Sequence, residues 1–146
     1  MPPNPPEKLK EVRENTLATQ IGLSWTEAAI VNGPVVLDYA VWQKITGSVE
    51  DFVEVEAGII PTNYIVKSLV QGTSYDFKVL ARNEDGVSEL SESVTILAAQ
   101  FPAQLLKPTI EFLYPSYIFK WEAPTDNGGS PVTGYKVKMF NSLDAA

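Results

Sequence analysis

Four places in the sequence carry residue types that could do chemistry. Glu50, Asp51, Glu54 and Glu56 form an acidic run suited to a cation or a basic partner, with Glu54 and Glu56 on one face if the segment alternates as a strand. Asp126-Asn127-Gly128-Gly129 offers oxygen ligands, although the spacing and terminal Glu of an EF-hand calcium loop are missing. Asn83-Glu84-Asp85-Gly86 would form an exposed loop between two alternating segments. Trp42 and Phe52 fall on the outward side of their segments and are candidate anchors for a partner. Each has a plainer reading. The acidic run suits a solvated edge strand whose charges discourage pairing. The Asn- and Gly-bearing tetrapeptides suit turns, and the two aromatics suit cover by neighbouring side chains. The plainer reading is preferred for the three polar clusters. Asn83, Glu84, Asp85, Gly86, Trp42 and Phe52 remain the candidate partner-binding residues.

Neither His nor Cys occurs among the 146 residues. That removes disulfides, thiolate and imidazole metal ligands, Cys nucleophiles and imidazole bases together. No phosphate-cradling Gly loop and no G-x-S-x-G elbow accompanies the Ser residues and carboxylates. No catalytic residue, cofactor site or metal site is therefore expected, and the chain reads as a non-enzyme. Its net charge of −7, all of the excess within residues 1–98, disfavours nucleic acid and anionic membrane surfaces. No apolar run approaches the roughly 20 residues needed to cross a bilayer, so direct membrane insertion is not expected. Met1-Pro2-Pro3-Asn4-Pro5-Pro6 lacks the features of a secretory signal, and no Asn-x-Ser/Thr acceptor occurs. The compartment stays open between cell surface or extracellular and intracellular cytoskeletal or ciliary. The abrupt ends suggest a piece of something longer.

A shift of 96 positions superposes Pro6 on Pro102, Leu9 on Leu105, Trp25 on Trp121, Gly33 on Gly129, Val36 on Val132, Tyr39 on Tyr135 and Val41 on Val137. That period is the size of a small β-sandwich. The chain thus reads as one full unit over residues 5–98, a linker over 99–103, and the first half of a second unit over 104–146.

The local pattern has period two. Gln20 to Thr26 places Ile21, Leu23 and Trp25 on one face, Asp38 to Ile45 places Tyr39 and Val41 together, and Tyr75 to Asn83 aligns Tyr75, Phe77, Val79 and Ala81. Lys8 to Arg13, Phe52 to Glu56, Asn63 to Ser68 and Ser93 to Ala98 complete seven candidate strands, with turn residues between them. Lys8 to Asn15 would also suit a short helix. In the second unit, Lys107 to Phe112, Tyr117 to Trp121 and Tyr135 to Phe140 can supply the first three strands, A, B and C. The predicted fold is all-β: an immunoglobulin-like antiparallel β-sandwich followed by a truncated second sandwich. Its expected structural core includes Trp25, Tyr39, Leu69, Tyr75, Trp121 and Tyr135. Tyr75 stands where a tyrosine corner would bond the backbone upstream near Leu69.

These residues resemble the fibronectin type III family. The resemblance rests on Leu69-x-x-Gly72-Thr73-x-Tyr75-x-Phe77-x-Val79-x-Ala81-x-Asn83-x-x-Gly86-x-Ser88 in the first unit. In the second it rests on Trp121-x-x-Pro124-x-Asp126-Asn127-Gly128-Gly129-x-Pro131-Val132-x-x-Tyr135-x-Val137. It implies seven strands, with A, B and E in one sheet and C, C′, F and G in the other. Adhesive relatives carry Arg-Gly-Asp in the loop here occupied by Asn83 to Gly86, and that tripeptide is absent. The expected role is a non-catalytic structural spacer and protein-binding module of a tandem array, with protein partners of unknown identity. An accessory module of a larger enzyme and a cytoskeletal or ciliary component are the alternatives. Phe101 and Pro102 are placed to stiffen the joint. The incomplete second unit is open to association with the first unit, another copy or a partner strand.

Overall fold

The computed structural model describes residues 1–140; the end of the second unit, 141–146, lies outside the described residues. Ten strands and no helix occur among them. Strands β1 (Glu7–Leu17), β2 (Gln20–Thr26) and β5 (Asn63–Val66) form one antiparallel sheet in the order β1-β2-β5. Strands β3 (Asp38–Ile45), β4 (Val53–Ile59), β6 (Ser74–Asn83), β7 (Gly86–Val87) and β8 (Val94–Leu97) form the second. There β3 lies between β4 and β6, while β7 and β8 both pair with β6. These are the A-B-E and C-C′-F-G sheets. The helix-compatible segment Lys8 to Asn15 lies in β1, because pairing from Glu7 opposite Thr26 to Leu17 opposite Gln20 outweighs a weak local propensity.

Alternation decides what is buried. Ile21, Leu23 and Trp25 project from β2 onto Tyr39 and Val41 of β3 and onto Tyr75, Phe77, Val79 and Ala81 of β6. Leu69 and Ile96 close the ends of this layer. Trp25 is only 5% exposed, and its ring meets that of Tyr39 edge-on at 5.4 Å between centroids. The Tyr39 hydroxyl donates to the Glu27 carboxylate at 2.9 Å. Burial first, and that carboxylate second, raise the Tyr39 pKa above the ordinary phenol value. The Tyr75 hydroxyl accepts the Val70 N–H at 3.0 Å, which pins the β5–β6 connection to the start of β6. Tyr75→Phe keeps the ring and orphans that N–H, so a loss of about 1 kcal/mol in urea unfolding is expected.

The seventh strand is split into β7 and β8. Arg82 pairs with Val87 and Phe77 with Val94, so the six residues Ser88–Ser93 span only four of β6, Lys78–Ala81. Two serines absorb the excess. Ser88 donates its N–H to the Ala81 carbonyl at 2.8 Å, and its Oγ accepts the Ala81 N–H at 2.9 Å. Ser91 treats Val79 in the same way, at 2.9 and 3.0 Å. Hydroxyls thus stand in for missing strand carbonyls, and the buried edge of β6 stays satisfied there.

A hairpin of β9 (Thr109–Leu113) and β10 (Ser116–Lys120) follows and makes its own two-stranded sheet. The third strand expected over Tyr135 to Phe140 does not form. Its counterpart β3 takes its hydrogen bonds from β4 and β6 and none from β2. Among the described residues no strand lies beside it as β4 and β6 lie beside β3, so this segment joins no ladder there. For the same reason Trp121 and Tyr135, expected in a core, are 39% and 46% exposed. Their ring centroids lie 5.7 Å apart, against 5.4 Å for Trp25 and Tyr39, but no second sheet covers them among the described residues.

Candidate functional site

The turn at 126–129 meets the linker through main chain, and it meets the sandwich through the Gln71 side chain and the close packing of Gly129 on Gly72. The Gln100 N–H donates to the Gly128 carbonyl and the Ala103 N–H to the Asp126 carbonyl, both at 2.8 Å. The Gln71 side-chain amide, in the β5–β6 turn, donates to Asp126 Oδ1 at 2.9 Å. The same oxygen accepts the Gly128 N–H at 2.8 Å, and Asn127 Oδ1 accepts the Gly129 N–H at 2.9 Å. These two local bonds wind 126–129 into a turn of the kind that Asp and Asn nucleate. Gly128 and Gly129 adopt φ of +75° and +91°. A Cβ on Gly128 would lie 2.1 Å from the Gln100 carbonyl oxygen, and one on Gly129 would lie 2.8 Å from the Gly72 nitrogen. Both conformation and contact therefore require glycine.

The exit from β8 is held too. Gly72 N–H donates to the Ala98 carbonyl at 2.8 Å and Ala98 N–H to the Thr73 carbonyl at 3.0 Å. Arg13 donates to the Ala99 carbonyl at 3.3 Å and lies 5.8 Å from the centre of the Phe101 ring. Phe101 itself remains largely exposed. Backbone hydrogen bonds and Arg13, rather than packing of the Phe101 ring into the sandwich, hold this exit in place.

The Gly128 N–H, and after it the Gln71 amide, hold the Asp126 carboxyl below its ordinary value. A depressed carboxyl stabilises the docked turn fully above the ordinary Asp value, near 4, and that contribution fades as pH falls through the depressed value. In an NMR titration the Gly128 and Gln71 side-chain amide resonances should therefore move together below about pH 4. Gln71→Ala should bring the Asp126 transition closer to the ordinary value.

The other candidate residues are scattered. Asn83 is 4% exposed: its amide donates to the Met1 carbonyl at 2.9 Å and the Pro34 carbonyl at 3.3 Å, while its Oδ1 accepts the Asp85 N–H at 2.9 Å. It is a structural fastener and is closed to a partner, which corrects its place among the partner-binding candidates. Glu84 and Asp85 are exposed, Asp85 pairs with the terminal amine, and Gly86 takes φ of +142° in the turn. Trp42 is half-buried on the outer face of its sheet, opposite Lys78 and Glu54. Phe52 is half-buried beneath the ammonium groups of Lys44 and Lys78, 5.4 and 5.0 Å from its ring centre. Neighbours thus cover Phe52, the second of the two readings open for it.

Glu54 and Glu56 do not share a face. Trp42 opposes Glu54 and Val41 opposes Glu56, so a bulge at Val55 turns the two carboxylates to opposite sides. Glu56 accepts the Tyr64 hydroxyl at 3.4 Å instead. The four acids are exposed on and before the edge strand β4. No group of three or more potential metal ligands occurs among the described residues. The sequence reading missed the roles of Gln71, Arg13 and the serine pair, of which only Ser88 belongs to a quoted motif. The crowded Gly128-Gly129 pair was the one visible sign.

Two twisted antiparallel sheets in this order, closed by a tyrosine corner, define an immunoglobulin-like β-sandwich of the seven-strand kind. Residues 4–96 match the family profile "Fibronectin type III domain", and the chain belongs to that family. It is 40% identical over 79 residues to mouse fibronectin type-III domain-containing protein 3A, covering 52% of this chain and 7% of that protein. It is 31% identical over 132 residues to Drosophila melanogaster titin, covering 85% of this chain and 1% of titin. A crystal structure of titin domains superposes with a TM-score of 0.61 at 31% identity, covering 66% of this chain and 32% of that one. The chain thus spans a small fraction of these relatives. It is homologous to titin-type modules, which is consistent with a structural or interaction module.

Proposed function

We propose that the chain is a non-catalytic spacer and protein-interaction segment whose work is to hold successive modules at a restricted angle. In this reading residues 5–98 are one module, 99–103 the linker, and 104–146 the first half of the next. The observation that supports it is the seating of the Asp126–Gly129 turn: main-chain bonds at 2.8 Å tie it to Gln100 and Ala103, the Gln71 side chain donates to it at 2.9 Å, and Gly129 packs on Gly72 with no room for a Cβ. Main chain packed that closely has no rotamer freedom to give up in staying in place.

Nitrogen-15 relaxation of the whole chain tests this. Residues 5–98 and 104–140 should tumble with one correlation time, and Gly128→Ala should separate the two values. Independent tumbling of the unaltered chain would contradict the proposal.

A further inference from the structure

We infer that Asn32 is a site of spontaneous deamidation and isomerisation, and that the fold directs this chemistry to Asn32 and away from Asn127. Two asparagines precede a glycine, in Asn32-Gly33 and Asn127-Gly128. Glycine has no side chain to hinder attack by its own nitrogen, so either pair has the atoms to close the ring the reaction needs. The Gly33 nitrogen gives up its proton to water or hydroxide and attacks Asn32 Cγ. A new C–N bond forms, and the side-chain nitrogen takes a proton back and leaves as ammonia. Water then opens the succinimide at one of its two carbonyls. Breaking the bond to Cγ gives Asp, and breaking the bond to the main-chain carbonyl carbon gives isoaspartate, with one extra carbon in the backbone. One water is consumed and one ammonia released, and no oxidant or reductant takes part.

The two pairs differ in how their reacting atoms are held. Asn32 and Gly33 are both exposed in the β2–β3 loop. Among the described residues neither the Gly33 N–H nor the Asn32 side chain has a hydrogen-bond partner. Asn32 also holds φ of +61°, a left-handed conformation disfavoured for L-residues, so the rotation that brings the nitrogen to Cγ forfeits little. At Asn127 the same atoms are engaged. The Gly128 N–H donates to Asp126 Oδ1 at 2.8 Å, so the proton to be lost is held by a carboxylate whose charge opposes the amide anion. Asn127 Oδ1 accepts the Gly129 N–H at 2.9 Å, which ties the side-chain amide to the residue beyond. Gly128 itself is buried against the Gln100 carbonyl, so rotation there meets main chain. The product at position 32 places a new negative charge two residues from Pro34, whose carbonyl accepts the Asn83 amide at 3.3 Å.

The test is prolonged incubation of the whole chain at neutral and mildly alkaline pH, followed by peptide mapping that resolves Asn, Asp and isoaspartate at each position. Asn32 should convert faster than Asn127 by about tenfold or more, the factor that one hydrogen bond to a charged acceptor provides. Its rate should rise with pH, because the attacking species is the amide anion. In urea, where the fold holds neither pair, the two rates should converge. Asp126→Ala frees the Gly128 N–H and should raise the Asn127 rate severalfold while the Asn32 rate stays as it was. Equal rates in the folded chain, or rates as far apart in urea as in the folded chain, would overturn the inference. So would an Asn127 rate unmoved by Asp126→Ala. The guard on Asn127 rests on the joint described above, whereas the reactivity of Asn32 does not. Relaxation reads the joint by itself, so a joint that fails and an Asn32 that does not react are told apart.

Discussion

Trp25→Ala is expected to lower the unfolding free energy of the sandwich by about 3–5 kcal/mol. That is a large share of the roughly 5–15 kcal/mol a domain of this size has. The indole lies between the sheets against Tyr39, in a core that includes the fully buried Phe77, Val41 and Val79. Truncation loses its transfer free energy and leaves a cavity that rigid strands on both sides fill only partly. The chain has no disulfide to offset the loss. Urea denaturation followed by far-ultraviolet circular dichroism would show the midpoint falling sharply. Trp121→Ala is the matched control. Equivalent in sequence but exposed and without an opposing sheet, it should leave the sandwich transition within about 0.5 kcal/mol of the parent. Equal effects of the two substitutions would mean that Trp121 is buried in solution.

Ser88→Ala and Ser91→Ala should each cost about 1–3 kcal/mol, because each leaves a buried N–H of β6 without an acceptor. Hydrogen exchange would localise the effect. The Ala81 amide should lose protection in the first variant and the Val79 amide in the second, while Ile21 and Leu23 on β2 keep theirs relative to global unfolding. Threonine, which retains the hydroxyl, should recover much of the loss. An unchanged exchange rate at both amides would remove the serines from the ladder. In sequence Ser88 closes the Leu69 to Ser88 run and Ser91 looks like an ordinary loop polar, and the role of both appears only once the register of β7 and β8 against β6 is known.

Much of the fold was legible because burial repeats every second residue. The runs around Ile21-x-Leu23-x-Trp25 and Tyr75-x-Phe77-x-Val79-x-Ala81 identify strands and their inward faces together. The tyrosine corner could be read because its partner lies only five residues away, at Val70. Alternation failed at bulges. It placed Glu54 and Glu56 on one side, whereas the extra residue at Val55 separates them. Repeat logic failed at Trp121 and Tyr135, since a matching residue type guarantees a matching environment only if the opposing strands are present. The joint was least legible: Gln71 and Asp126 are 55 residues apart, and nothing local marks either as the other's partner.

By itself the sequence determined that this protein holds a two-layer β structure, because the alternation of apolar side chains and the placing of turn residues are local properties. It also set the inventory of chemistry, since residue types that are missing cannot be restored by folding. Only the tertiary structure decided which glycines pack against the sandwich and its exit, which serines complete a sheet edge, and which aromatics are covered. Those outcomes depend on contacts between segments far apart in the chain, and no short window of sequence contains both partners.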